Sequence, residues 1–135
     1  DNIQAAILNF RIKNLNQVIK KRRENVKIYL QHLNFKNLYF KNETDKEFNT
    51  YHTFVIQAKN RDNLRKYLQN KGIGTAIHYP VPIHLQHSSK KLGFKKNDFP
   101  VTEKQAKTIL TLPINQFLKK KEIIFISNQI NNFYK

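Results

Sequence analysis

The hydrophobic pattern predicts an α+β domain: a small, mostly antiparallel sheet of about three strands covered by helices, with a long N-terminal helix. Three features point there. Across residues 1–33, apolar side chains recur at three- and four-residue spacing, the period of a helix. Short runs rich in β-branched and aromatic residues follow, each only a few residues long. The stretches alternate as α-β-α-β-loop-α-β-α, and no Gly-rich dinucleotide fingerprint or phosphate loop accompanies them. A chain of 135 residues fits one domain, 1–135, and is long enough to bury a core.

The elements follow in order. Asp1 and Gln4 have capping-box spacing, and Ile3, Ala6, Ile7, Phe10, Val18, Val26, Tyr29, Leu30 and Leu33 make one stripe, so Asp1 to Leu33 reads as a helix. It is longer than a domain of this size needs. Either it bends near Asn14-Leu15-Asn16, or it extends to pack on something outside the chain. Asn34 to Asn49 is polar and loop-like, with a short strand expected at Leu38–Phe40. Tyr51 to Ala58 is a strand by composition, and Arg61 to Lys71 is a short amphipathic helix stopped by Gly72. Ile73 to Tyr79 reads as a second strand that runs into a long loop, Pro80 to Val101. Thr102 is positioned to cap a helix reaching about Leu110, Thr111–Ile114 is a third strand limited by Pro113, and Leu118 to Tyr134 closes the chain as a helix. The chain begins in a helix, with no lead-in and no initiating methionine, which predicts a piece of a longer protein.

Composition bounds the function. There is no cysteine, which excludes disulfides and thiolate metal sites and points to the cytoplasm. The apolar runs are too short to span a membrane. The formal net charge is +16, which invites a nucleic-acid reading. Against it, Lys and Arg are scattered, with tight clusters only at Lys20–Arg23 and Lys119–Lys121, and basic residues do not alternate with aromatics as a nucleic-acid platform requires. Nucleic acid is therefore the rival reading, and an anionic small ligand such as a nucleotide sugar suits the same charge.

The chemistry-bearing segment is Gly72 to Gln86. An apolar run leaves the Gly72/Gly74 pair and stops where Pro80 and Pro82 alternate with His78, Tyr79 and His84. Each proline fixes its own φ and restricts its predecessor, so imidazole and phenol groups are held in few directions. His78, His84 and His87 match no standard metal-ligand spacing, and no metal site is expected. Ser88 and Ser89 follow His87 without a nucleophile elbow or an orienting carboxylate, so no hydrolytic triad is expected. His52 reads as a strand-end residue bonded to backbone. His78, Tyr79 and His84 are the candidate substrate contacts, because packing alone does not require their polar tips.

The run Gly72–Gln86, with Gly74, Thr75, His78, Tyr79, Pro80, Pro82 and His84 in place, resembles the C-terminal part of the DegT/StrS sugar aminotransferases. Asp1–Leu8, Tyr51–Ile56, Phe99–Glu103 and Ile109–Ile114 continue the likeness in order across essentially the whole chain. The resemblance implies the small domain of a fold-type-I aminotransferase that works as a homodimer with pyridoxal 5′-phosphate. Its substrate would be a keto group on a nucleotide-linked deoxysugar, aminated from an amino acid such as glutamate. The His78–His84 loop would line the sugar-nucleotide entrance, and the first helix, with Asp1 and Gln4, would lie near the subunit interface. In the family, the cofactor lysine, the carboxylate facing the pyridine nitrogen, the ring-stacking aromatic and most phosphate contacts lie upstream. No lysine of this chain matches the Schiff-base position, so no catalytic residue is assigned, and the chain alone is expected to be inactive.

Overall fold

A computed structural model describes residues 1–135. The helices are α1 (Asn2–Ile12), α2 (Leu15–His32), α3 (Arg61–Asn70), α4 (Pro100–Thr108) and α5 (Lys120–Phe133), and the strands are β1 (Leu38–Tyr39), β2 (Phe54–Ala58) and β3 (Ile109–Leu112). The strands form one antiparallel sheet in the order β1-β2-β3. This is the α+β architecture that the pattern predicts.

The two-residue period of a strand gives the sheet two different faces. Phe54, Ile56 and Ala58 are buried, while Val55 and Gln57 between them are only partly covered. Phe54 pairs with Leu112 and Ile56 with Leu110, so the same face of both strands is apolar. Val26 and Tyr29 of α2 with Leu33 just after it, Leu64 and Leu68 of α3, and Ile123, Ile126 and Ile130 of α5 close over it as a single core. The Tyr29 ring stacks on Phe54 at 5.0 Å, and its hydroxyl donates to the Pro113 carbonyl at 2.9 Å. Burial pushes the Tyr29 phenol well above its ordinary pKa, so it stays neutral. Asn25, also buried, donates to the Asn115 carbonyl at 2.8 Å, and Arg61 of α3 donates to the Ile109 carbonyl at 2.8 Å. Both bonds satisfy polar groups that burial would otherwise penalise.

The stop after α3 is built as the glycine implies. Gly72 has φ +75, its N–H reaches the Gln69 carbonyl, and the Ile73 N–H reaches the Leu68 carbonyl. Ile73 and Leu68 meet in the core, which completes a Schellman turn. Near the other end of the chain, Arg23 pins the polar segment after β1. It makes a bidentate pair with Glu43 (2.9 and 2.8 Å), donates to the Asn49 carbonyl and lies 4.5 Å from the Phe48 ring centroid.

Several elements differ from expectation. The first helix is two helices, and the break at Lys13 and Asn14 falls where one of the two alternatives placed a bend, since an asparagine favours a cap over helix interior. Asp1 caps α1 by accepting from the Ile3 N–H at 3.2 Å. No residue of α1 is buried, so the apolar stripe divides: Val26, Tyr29 and Leu33 face the core, while Ile3, Ile7 and Phe10 face outward. Residues 73–79 form no strand beyond one bridge, Ala76 to Thr111; toward Gly74 the ladder stops because β3 ends at Leu112 and Pro113 offers no N–H. Helix α4 begins at Pro100, with Phe99 rather than Thr102 at the cap, since proline's φ suits the first helical position. The Pro80–Val101 stretch carries two short 3₁₀ turns, Ile83–Leu85 and His87–Leu92.

Core and α1 differ in what they contribute, and denaturation separates them. Phe54→Ala is expected to cost about 3–5 kcal/mol in urea unfolding, as for a fully buried ring. Ile7→Ser on α1 is expected to stay within about 0.5 kcal/mol. Equal losses at the two sites would contradict this division of the molecule.

Candidate functional site

The less buried face of the sheet is where an opening forms. Val55 pairs with Thr111 and Gln57 with Ile109, so these four residues share that face. Helix α4 lies across it, bringing Thr102, Gln105 and Ala106 opposite Val55 and Ile109. The loop after the Ala76 bridge supplies His78, Tyr79, Val81, Pro82, Ile83 and Gln86 as the remaining wall. Together they enclose an open cavity of about 320 Å³. A larger one, about 500 Å³, lies between α2 and β1, where Leu30, Phe35, Leu38, Tyr39 and Phe40 leave Asn42 as its one residue that is not hydrophobic.

The loop is held from two sides. Thr111 and Ala76 exchange both backbone hydrogen bonds (2.8 and 3.2 Å), and the Thr111 hydroxyl meets His78 Nδ1 at 2.9 Å. The His78 and Tyr79 rings then stand edge to face, 5.5 Å apart, and the peptide between them is cis. Tyr79 is 71% exposed at the cavity mouth. On the far side, His84 Nε2 lies 3.1 Å from Glu103 Oε1, both side chains are buried, and the His84 ring packs on Phe99 at 4.8 Å. The same Glu103 oxygen accepts the Asn97 N–H at 2.6 Å, and Phe94 meets Phe99 edge to face at 5.2 Å. One carboxylate thus gathers the Pro82–Leu85 turn, the Lys95–Asp98 turn and the start of α4. Burial by itself raises the Glu103 carboxyl. The His84 ring and the N–H groups of Asn97 and Phe99 favour its ionised form more strongly, and its pKa sits below the ordinary carboxylate value.

Of the residues singled out in the sequence, His78 and Tyr79 come together on the cavity wall. His84 lies beneath that wall, engaged with Glu103. Asp1 and Gln4 sit on the exposed α1, away from the cavity. His52 is exposed, and its carbonyl accepts from Arg22 at 3.0 Å. Two contributors were not evident beforehand. Thr111 carries a faint signal, a hydroxyl between Leu110 and Leu112 in an otherwise apolar strand. Glu103 reads as a first-turn helix residue, and only the fold reveals its partners.

Chemically, the cavity offers a hydrogen-bonded imidazole, an exposed phenol and two side-chain amides (Gln86 and Gln105) above an apolar floor of Val55 and Ile109. Such a mixture suits a ligand with hydroxyl or phosphate oxygens and an apolar edge.

Known proteins resemble this chain in sequence and fold. Over its whole length the chain is 33% identical to a pleiotropic regulatory protein of Geobacillus stearothermophilus, of which it spans 37%. Across 98% of its length it is 29% identical to dTDP-3-amino-3,6-dideoxy-alpha-D-galactopyranose transaminase of Aneurinibacillus thermoaerophilus, covering 36% of that enzyme. The fold matches S. venezuelae DesV, solved in complex with a ketimine intermediate, with a TM-score of 0.95 at 26% identity, over all of this chain and 37% of DesV. The chain therefore spans about a third of the length of these relatives. Residues 1–131 match the DegT/DnrJ/EryC1/StrS aminotransferase description, so that the loop, the sheet and the helix that frame the cavity all fall within it: this chain belongs to the DegT/DnrJ/EryC1/StrS aminotransferase family.

Proposed function

We propose that these 135 residues form the substrate-pocket and dimerisation part of a sugar aminotransferase. The reaction would transfer an amino group from an amino acid such as glutamate to a keto group of a nucleotide-linked deoxysugar. The observation that carries this reading is the braced loop that sets His78 and Tyr79 on an open cavity, within a chain whose relatives include a dTDP-amino-sugar transaminase. His78 and Tyr79 would bind the sugar or its phosphates, Val55 and Ile109 would receive a deoxygenated edge of the ring, and His84 would act from below by fixing the loop's shape. The net charge of +16 would draw a diphosphate toward the protein.

Aminotransferases of this family depend on pyridoxal 5′-phosphate. This chain's cavity does not fit the role of holding it. No lysine lines it to form an imine, and no carboxylate lines it to face a pyridine nitrogen, since Glu103 is buried against His84. The cofactor would be held mainly by a domain outside these residues, consistent with the share of the relatives that the chain covers. The exposed apolar side chains of α1, beside Asp1 and Gln4, would meet that domain or the second subunit. No helix is long and apolar enough to cross a membrane, and a cysteine-free chain suits the cytoplasm. A free-standing nucleic-acid module, the rival that charge suggests, gains no support from the family or from these relatives.

Two experiments test the reading. The 135-residue chain, given pyridoxal phosphate, glutamate and a dTDP-keto-deoxysugar, is expected to show no transamination. Turnover should appear once a cofactor-binding domain from a relative is supplied, and His78→Ala is expected to lower its kcat/KM at least tenfold. Turnover by the chain alone would overturn the proposal. The second concerns the brace. Because the folded-state pKa of Glu103 is depressed, its contribution to stability is complete above the unfolded carboxylate value of about 4.3 and is lost as the pH falls below it. Glu103→Gln should therefore be less stable than the parent chain at neutral pH, and the gap in urea midpoints should narrow in acid. A gap independent of pH would show that the carboxylate charge is not what the brace uses.

A further inference from the structure

We propose that Thr111 is a positioning residue that sets the proton on His78, so that the neutral ring presents Nε2–H as a hydrogen-bond donor to an oxygen acceptor in the cavity.

The argument begins with placement. Thr111 and Ala76 are directly opposed and exchange both backbone bonds, which puts His78, two residues on, at the diagonal position that a side chain from Thr111 can reach. The contact is made at His78 Nδ1, at 2.9 Å. Geometry alone allows either group to donate. Burial decides. Thr111 is only 8% exposed, and its hydroxyl has no hydrogen-bonding partner other than His78. If Nδ1 carried the proton, the hydroxyl would accept, and its own hydrogen would be left buried without an acceptor, at a cost of roughly 1–3 kcal/mol. If the hydroxyl donates, its hydrogen is satisfied and Nδ1 is the acceptor. The proton of the neutral ring then resides on Nε2, the nitrogen that no protein group engages. His78 lines the cavity, so Nε2–H is the group left for a ligand. Its complement is an acceptor oxygen on phosphate, carbonyl or hydroxyl.

This rests on the sugar-aminotransferase reading only for the identity of the ligand. The test uses none. The 135-residue chain, labelled with ¹⁵N at histidine and held at a pH where His78 is neutral, is measured by two-bond proton–nitrogen correlation. The parent chain and Thr111→Ser are expected to show His78 essentially all in the Nε2–H form. Thr111→Val, similar in shape but without the hydroxyl, is expected to raise the Nδ1–H population several-fold toward the ratio of free histidine. A merely structural role would move stability in Thr111→Val without changing that ratio. An Nδ1–H majority in the parent chain, or an unchanged ratio in Thr111→Val, would overturn the proposal. Because nothing is bound, these outcomes hold whatever the substrate proves to be.

Discussion

Register between β2 and β3 is the constraint on which the rest depends. Phe54 faces Leu112 and Val55 faces Thr111. Strand side chains alternate with a period of two, so a slip by one residue would send Val55 and Gln57 into the core and lift Phe54 and Ile56 toward solvent. The penalty is steep on the core side, where Tyr29 stacks on Phe54 and α2, α3 and α5 converge. Core packing therefore fixes the opposite face as well. The floor of the cavity is where it is because the other side of the same two strands has no freedom to move.

Onto that fixed floor the loop is attached at both ends by different chemistry. Near its start the attachment is backbone pairing with Thr111, directional and uncharged. Farther along it is a buried carboxylate shared among His84, Asn97 and the first turn of α4. Between them Pro80 and Pro82 remove local backbone freedom. Rigidity costs conformational entropy, and here much of that cost is met in the chain's own covalent structure before any ligand arrives. Tyr79, between the two attachments, is the loop's polar ring left exposed to solvent.

Elements marked by local chemistry could be read from the sequence. The Phe54–Ala58 strand, the Arg61–Asn70 helix with its glycine stop and the final helix follow from composition, period and one residue with positive φ. Elements that depend on a distant partner could not. Residues 73–79 have a strand's composition, but pairing needs a neighbour; only Ala76 bridges to Thr111, and Pro113, opposite Gly74 in that register, has no N–H to extend the ladder toward Gly72. The same dependence divides the loop's polar residues. His78 and Tyr79 sit on the cavity wall beside Pro80, whereas the inward turn of His84 is dictated by Glu103, 19 residues later. Thr111 gains its role only from register, which no run of residues displays by itself.

Helix α1 has one more consequence. Ile3, Leu8, Phe10 and Ile12 are each more than half exposed, on a helix that buries nothing. An uncovered apolar surface of this kind is adhesive in water. What opposes it is mutual repulsion between chains that each carry +16. That repulsion acts over a Debye length of about 8 Å at physiological ionic strength and weakens as salt shortens that distance. The scattered lysines and arginines thus oppose indiscriminate contact through α1, and only a partner surface that offsets their repulsion would cover it.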